Sequence, residues 1–180
     1  MKNRIFAILL LSFSTIASIQ AQKTSTFPDT WSGQWTGDLE IYSGTGLLQK
    51  VPMALNIQPT DSSSVYTWEL IYGSGDKQSV RPYKLMVVDR EKGQYLIDEN
   101  NSIILQGYLL GGKFYNRFKV GDNLLLTTTE LLGDNLIFEV ISGKSDAIKT
   151  TGGQVVDGEE VPPVDGYEIM VRQKAVLKKE

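Results

Sequence analysis

From Thr30 onward the apolar residues of this chain alternate with polar ones, and the alternation restarts after every turn signal. A period of two belongs to a strand with one face in a core and one in water, and helical spacing never takes over. In Trp31-Ser32-Gly33-Gln34-Trp35-Thr36-Gly37-Asp38-Leu39-Glu40-Ile41 the odd positions are apolar or glycine and, after Ser32, the even ones are polar. Val51, Met53, Leu55 and Ile57 repeat the pattern, and further strands are predicted over 65–72, 80–89, 94–98, 103–110, 113–120, 124–131, 136–142 and 167–178. That makes about ten strands. The breaks are short and rich in residues that tolerate positive φ: Glu99-Asn100-Asn101-Ser102, Gly111-Gly112, Gly121-Asp122-Asn123 and Gly133-Asp134-Asn135. Tight turns join sequential neighbours, which predicts an antiparallel up-and-down meander.

Such a sheet needs a cover for its apolar face, and no helical segment is available beyond the first 21 residues. A meander of about 8–10 strands covers itself by curling into a closed barrel, which also removes exposed edges. A two-sheet sandwich is the competing arrangement, although sandwiches use longer crossing connections than these.

Three segments stand outside the rhythm. Met1-Lys2-Asn3-Arg4 is a basic start, residues 5–13 are apolar apart from Ser12, and Ile19-Gln20-Ala21 is a small-residue exit, the layout of a signal peptide cleaved after Ala21. The run is too short and too diluted by Ser14, Thr15 and Ser18 for a membrane anchor. Residues 22–29 read as a flexible arm, and residues 143–166, with Asp157-Gly158-Glu159-Glu160 and Pro162-Pro163, as a long, acidic, mobile loop. The single domain is then residues 30–180, secreted or periplasmic.

The chain has no cysteine, so no disulfide framework and no lipid-bearing cysteine after the signal. Without Lys2 and Arg4 it carries 16 basic against 21 acidic residues, net −5, which disfavours nucleic acid and anionic membrane as partners. With no histidine either, a Ser-His-Asp triad, a thiol nucleophile and a histidine zinc site are excluded. The carboxylates Asp38 and Glu40 fall on the polar face, and Asp98, Glu99, Asp122 and Asp134 in or beside turns. The expectation is therefore no enzyme, no metal and no cofactor.

Gly33-Gln34-Trp35, at the start of the first strand of an all-β chain, resembles the Gly-x-Trp motif of the lipocalins and the wider calycin superfamily. The resemblance implies a lipocalin-like barrel in which Trp35 plugs one end of the cavity, Gly33 permits close packing beside it, and a basic residue of the last strand, here Arg172, lies across the tryptophan. It extends over about residues 30–178, with departures: no terminal helix and no helical pair after the first strand. A haem-binding barrel of the nitrobindin type is similar in its early Gly-x-Trp pattern, but its histidine ligand has no counterpart here.

Strand parity predicts an inward face with Trp35, Leu39, Met53, Leu55, Tyr66, Trp68, Tyr83, Phe114 and Phe118 as tentative cavity lining. Arg81 shares parity with Tyr83 and Leu85 and is a candidate to hold a ligand carboxylate, unless it stands at the rim in water. The function expected is an exported, non-catalytic binder of a small apolar or amphipathic molecule. The alternative is a protein-interaction module of the cell envelope, inhibitor-like, with a packed barrel and an engaging arm or acidic loop.

Overall fold

A computed structural model describes residues 26–180. The signal peptide read at 1–21 and the first residues of the arm, 22–25, lie outside the described residues. Nine strands follow in chain order: β1 (Gly33–Ser43), β2 (Gly46–Ile57), β3 (Val65–Tyr72), β4 (Ser79–Asp89), β5 (Gln94–Asp98), β6 (Ile104–Leu110), β7 (Lys113–Val120), β8 (Asn123–Leu132) and β9 (Asn135–Lys144). Each pairs antiparallel with the next, and the last strand, β14 (Val171–Lys179), pairs β9 on one side and β1 on the other. The sheet therefore closes into a ten-stranded meander barrel, as the alternation predicts, and the sandwich is excluded.

The strand directions give the barrel two unlike ends. Trp35, Ile57, Tyr66, Tyr95, Phe114 and Leu136 cluster at one end, and Ser43, Tyr72, Asp98, Asn123 and Lys144 stand at the other. The first end is plugged from outside the sheet. A short 3-10 turn, Asp29–Trp31, buries Trp31, and Phe27 just before it is only 6% exposed. The Phe27 ring meets Trp31 edge-on at 4.5 Å, Tyr95 edge-on at 4.9 Å and Phe114 stacked at 5.3 Å. Trp35 Nε1 donates to the Trp31 carbonyl at 2.8 Å, and Arg90 donates through Nη1 to the Phe27 carbonyl at 2.7 Å. Arg90 Nη2 also donates to the Tyr66 hydroxyl at 3.0 Å, which in turn donates to Asp29.

This corrects the flexible arm expected at 22–29, at least from Phe27 on. Two aromatics and a proline in five residues carry enough apolar area to seal an open barrel end, but nothing in the linear pattern shows that an end is there to seal.

The acidic segment also departs from its reading as a mobile loop. It forms two short ladders in series, β10 (Lys149–Thr151) with β13 (Val164–Gly166), and β11 (Gln154–Val156) with β12 (Glu159–Val161). The tip is the two-residue turn Asp157-Gly158, with φ of 52° and 85° at its two residues. β-branched Thr150, Thr151, Val155, Val156, Val161 and Val164 around an Asp-Gly pair are a hairpin signal. Low apolar content argued for a loop, but a hairpin arm needs no core of its own, and every strand residue of this one is exposed. The chain re-enters the barrel at Val171, not at 167.

Candidate functional site

Alternation sends one face of every barrel strand inward, and the size of those inward side chains varies along the axis. The plugged end is filled by large rings, with Phe114 packed against Tyr95 and Trp68. Toward the mouth, β8, β9 and β14 turn in smaller groups: Thr127, Thr129, Val140 and Gln173. The shortfall leaves a cavity of about 210 Å³ in the mouth-side half of the barrel. Aromatic rings line it from β3 (Trp68, Tyr72), β4 (Tyr83), β7 (Phe118) and β9 (Phe138), and Leu70, Ile97, Leu105 and Leu125 complete the apolar lining.

Hydrogen-bonding groups stand among these rings, on β7 and β8. Asn116 and Thr129 are buried polar residues, unusual inside a small barrel. Asn116 Nδ2 donates to the Gln106 carbonyl at 2.8 Å, and Thr127 Oγ1 donates to Asn116 Oδ1 at 3.2 Å. These bonds fix the amide and leave one N–H of Asn116 and the lone pairs of Thr127 for another partner. Gly107 makes the arrangement possible: a Cβ there would stand 2.4 Å from the Phe114 ring and 3.1 Å from Asn116 Nδ2.

Apart from Glu99 at the mouth, the cavity lining carries no charged side chain. Burial pushes the Tyr72 phenol up to about 12, and Tyr83 is raised by burial and by Glu99 at the mouth. Both phenols are therefore un-ionised donors at neutral pH. Glu99 is the one carboxylate on the cavity wall.

The residues expected at the site divide into three groups. Trp68, Tyr83 and Phe118 lie on the cavity wall. Trp35, Leu39, Met53, Leu55, Tyr66 and Phe114 face inward too but belong to the packed core outside that wall. Arg81 keeps inward parity, opposite Leu70, yet is exposed at the rim, where its charge offsets the rise in both tyrosine pKa values. It forms no ion pair with a described residue.

The basic residue over the tryptophan is not Arg172. Arg172 points outward near the mouth and pairs with Glu139 on β9. Lys179, directly opposite Trp35 in the β1–β14 register, carries its ammonium 5.4 Å above the indole ring. Gly33, at φ 146°, gives its side chain room, since a Cβ would stand 2.4 Å from Lys179 Cε. Register decides this: Arg172 and Lys179 have opposite parity, and only Lys179 reaches the plugged end.

Neither a family model nor a curated protein matches this sequence. In fold, the barrel is similar to a solved structure, an S-type phycobiliprotein lyase from Guillardia theta. The TM-score is 0.55 at 9% identity, over 83% of this chain and 88% of that one. The likeness is one of fold. It nevertheless corrects the expectation that a barrel of this kind is no enzyme, because the similar protein is a lyase by name. Missing histidine and cysteine remove only the chemistries that require them.

Sequence reasoning missed Thr127, Thr129 and Gln173. In β8 three successive leucines, Leu124, Leu125 and Leu126, blur which face is inward, so the parity of the threonines carried no signal. Asn116 was legible as an inward polar group, because it shares parity with Phe114 and Phe118.

Proposed function

We propose that the barrel binds a small, largely apolar molecule in its mouth-side half, as lipocalin-like members of the calycin superfamily hold their ligands. The ligand lays a flat face on Trp68 and Phe118 and turns an uncharged hydrogen-bonding edge to Asn116, Thr127 and Thr129. Any charge it carries stays at the rim near Arg81, because an ion drawn past the neutral tyrosines would lose its water without a counter-charge. The observation that carries this reading is the 210 Å³ cavity lined by aromatic rings with hydrogen-bonding groups among them. It lies below the ~300–1,000 Å³ of sites for drug-sized ligands, so a ring-sized molecule, or one end of a longer one, fits. A solidly packed barrel would leave no such space. The named activity of the similar lyase leaves room for a binder that also acts on what it holds. The layout of residues 1–21 supports export, and with it a ligand met outside the cytoplasm.

Native mass spectrometry of the protein, purified without detergent from a host that exports it, tests the proposal alongside an organic extract. The expected result is an adduct that survives deletion of residues 145–163 and disappears in Val140→Trp, which fills the cavity. Protein that stays apo after incubation with a mixed lipid and metabolite extract overturns it.

A further inference from the structure

On the outside of the barrel, near the mouth, β8 and β9 carry an apolar strip where alternation would put polar residues. Leu125, Thr127 and Val140 line the cavity, so their neighbours Leu124, Leu126 and Ile141 point outward, with Leu126 opposite Ile141 in the ladder. The chain returning from the arm crosses this strip. Met170 donates its N–H to the Ser142 carbonyl at 2.9 Å, and Gly143 lacks the Cβ that would collide with the Glu168 carbonyl. Tyr167 and Ile169 of the crossing segment, both exposed, and the aliphatic strip beneath them enclose a groove of about 380 Å³. Cations border it. Arg117 and Lys144 line the groove, and Lys119 stands opposite Leu124 in the β7–β8 ladder. All three are exposed, and none forms an ion pair with a described residue. The one carboxylate on the wall is Glu168. An apolar floor bordered by unpaired cations suits an occupant that carries apolar side chains and carboxylates together.

The tip of the arm has that composition. Val155, Val156 and Val161 are exposed, and Asp157, Glu159 and Glu160 surround the turn. Val156 pairs with Glu159 and Gln154 with Val161, so Val156, Val161 and Glu159 share one face of the hairpin. Every strand residue of the arm is exposed, so that face is uncovered in a single chain. We propose that the arm tip of each copy seats in the groove of a second copy. The valines lie against Leu126 and Ile141, and the carboxylates meet Arg117, Lys119 and Lys144. A tip does not serve its own groove, because the groove adjoins the base of the arm and the tip stands up to ~25 Å out, at ~3.3 Å per residue from Lys149 to Asp157. One two-fold axis satisfies both contacts and leaves no groove or tip for a third chain, so the assembly closes at two copies. Each contact buries only a hairpin tip, and the total is below the ~1,200–2,000 Å² of stable complexes. The dimer is therefore a weak one that fills with concentration and empties with salt.

Sedimentation equilibrium of the whole protein at low salt, up to about 1 mM, tests this. The mass should climb from one chain toward two and stop there. Reversing the groove, with Arg117→Glu and Lys119→Glu together, should leave single chains. So should reversing the tip, with Glu159→Lys and Glu160→Lys together, which keeps the Asp157-Gly158 turn that positive φ requires. An equimolar mixture of the two variants should regain the two-chain mass, because each acidic groove then meets a basic tip and each basic groove an acidic one. Circular dichroism and the urea midpoint of both variants should match wild type, since all four side chains are exposed. A single-chain mass for wild type over the whole range overturns the proposal, and a shift of the Leu126 and Ile141 methyl signals on adding decanoate would then give the groove to a free anionic amphiphile. Growth beyond two chains, a dimer formed by either variant alone, or a mixture that stays at one chain overturns it as well.

Discussion

Replacing Phe27 by alanine should destabilise the barrel as much as deleting a central core residue, although Phe27 belongs to no strand. The ring is 6% exposed and touches Trp31, Tyr95 and Phe114 at centroid distances of 4.5, 4.9 and 5.3 Å. A buried phenylalanine removes ~150–250 Å² from water, which at ~25 cal/mol/Å² sets an upper limit of ~4–6 kcal/mol. Alanine retains the Cβ but leaves a void that rings on three sides cannot collapse into, so a loss of ~3–5 kcal/mol is expected. In a chain of this size that lowers Tm by about 6–20 °C, at ~2–4 °C per kcal/mol. Urea unfolding followed by tryptophan fluorescence is the assay, because Trp31 packs on the Phe27 ring and Trp35 is hydrogen-bonded to Trp31. With a urea slope of ~1–3 kcal/mol/M, the midpoint should fall by about 1–5 M at unchanged slope. A fall below ~0.3 M would refute the plug and return residues 27–29 to a loose arm.

Gly107→Ala should cost ~1–3 kcal/mol in the same assay, because Phe114 is held by Trp68, Tyr95 and Phe27 and cannot retreat from the new methyl. A neutral effect there would mean that the cavity has room the geometry denies. Tyr72 gives a pH prediction. Its phenol is raised to about 12 by burial, against 10.0 unperturbed, so folding favours the protonated form. The stability it contributes is complete below pH 10 and is lost as pH rises from 10 through 12, on the order of 2 kcal/mol. Urea midpoints at pH 8 and pH 11.5 should converge in Tyr72→Phe relative to wild type; equal pH slopes in both proteins would refute the assignment.

The sequence by itself determined the barrel strands and the closure, but not the hairpin arm at 149–166. Alternation fixed the strands because a half-buried sheet leaves a period-two trace, and Asn, Asp and Gly fixed the turns because positive φ restricts the residues that can stand there. β3, β5 and β7 carry the bounds read from the sequence, and β4, β6, β8 and β9 differ by one or two residues at either end. Closure followed from an apolar face with no helix to cover it. Inward parity was equally legible for Trp68, Tyr83, Phe114 and Phe118.

What only the tertiary structure decided is everything that depends on which residues share a level of the barrel. Parity says that a side chain points inward but not how far along the axis it stands, so Trp35 and Trp68 look alike in sequence while one lies in the packed plug and the other on the cavity wall. Stagger between strands sets that level, and it placed Lys179 over Trp35, sent Arg172 to Glu139, and set Asn116 beside Thr127. The plug is of the same kind. Phe27 and Arg90 are 63 residues apart and meet only because the closed barrel leaves an open end between them, and hydrophobic area then finds the one surface that removes it from water.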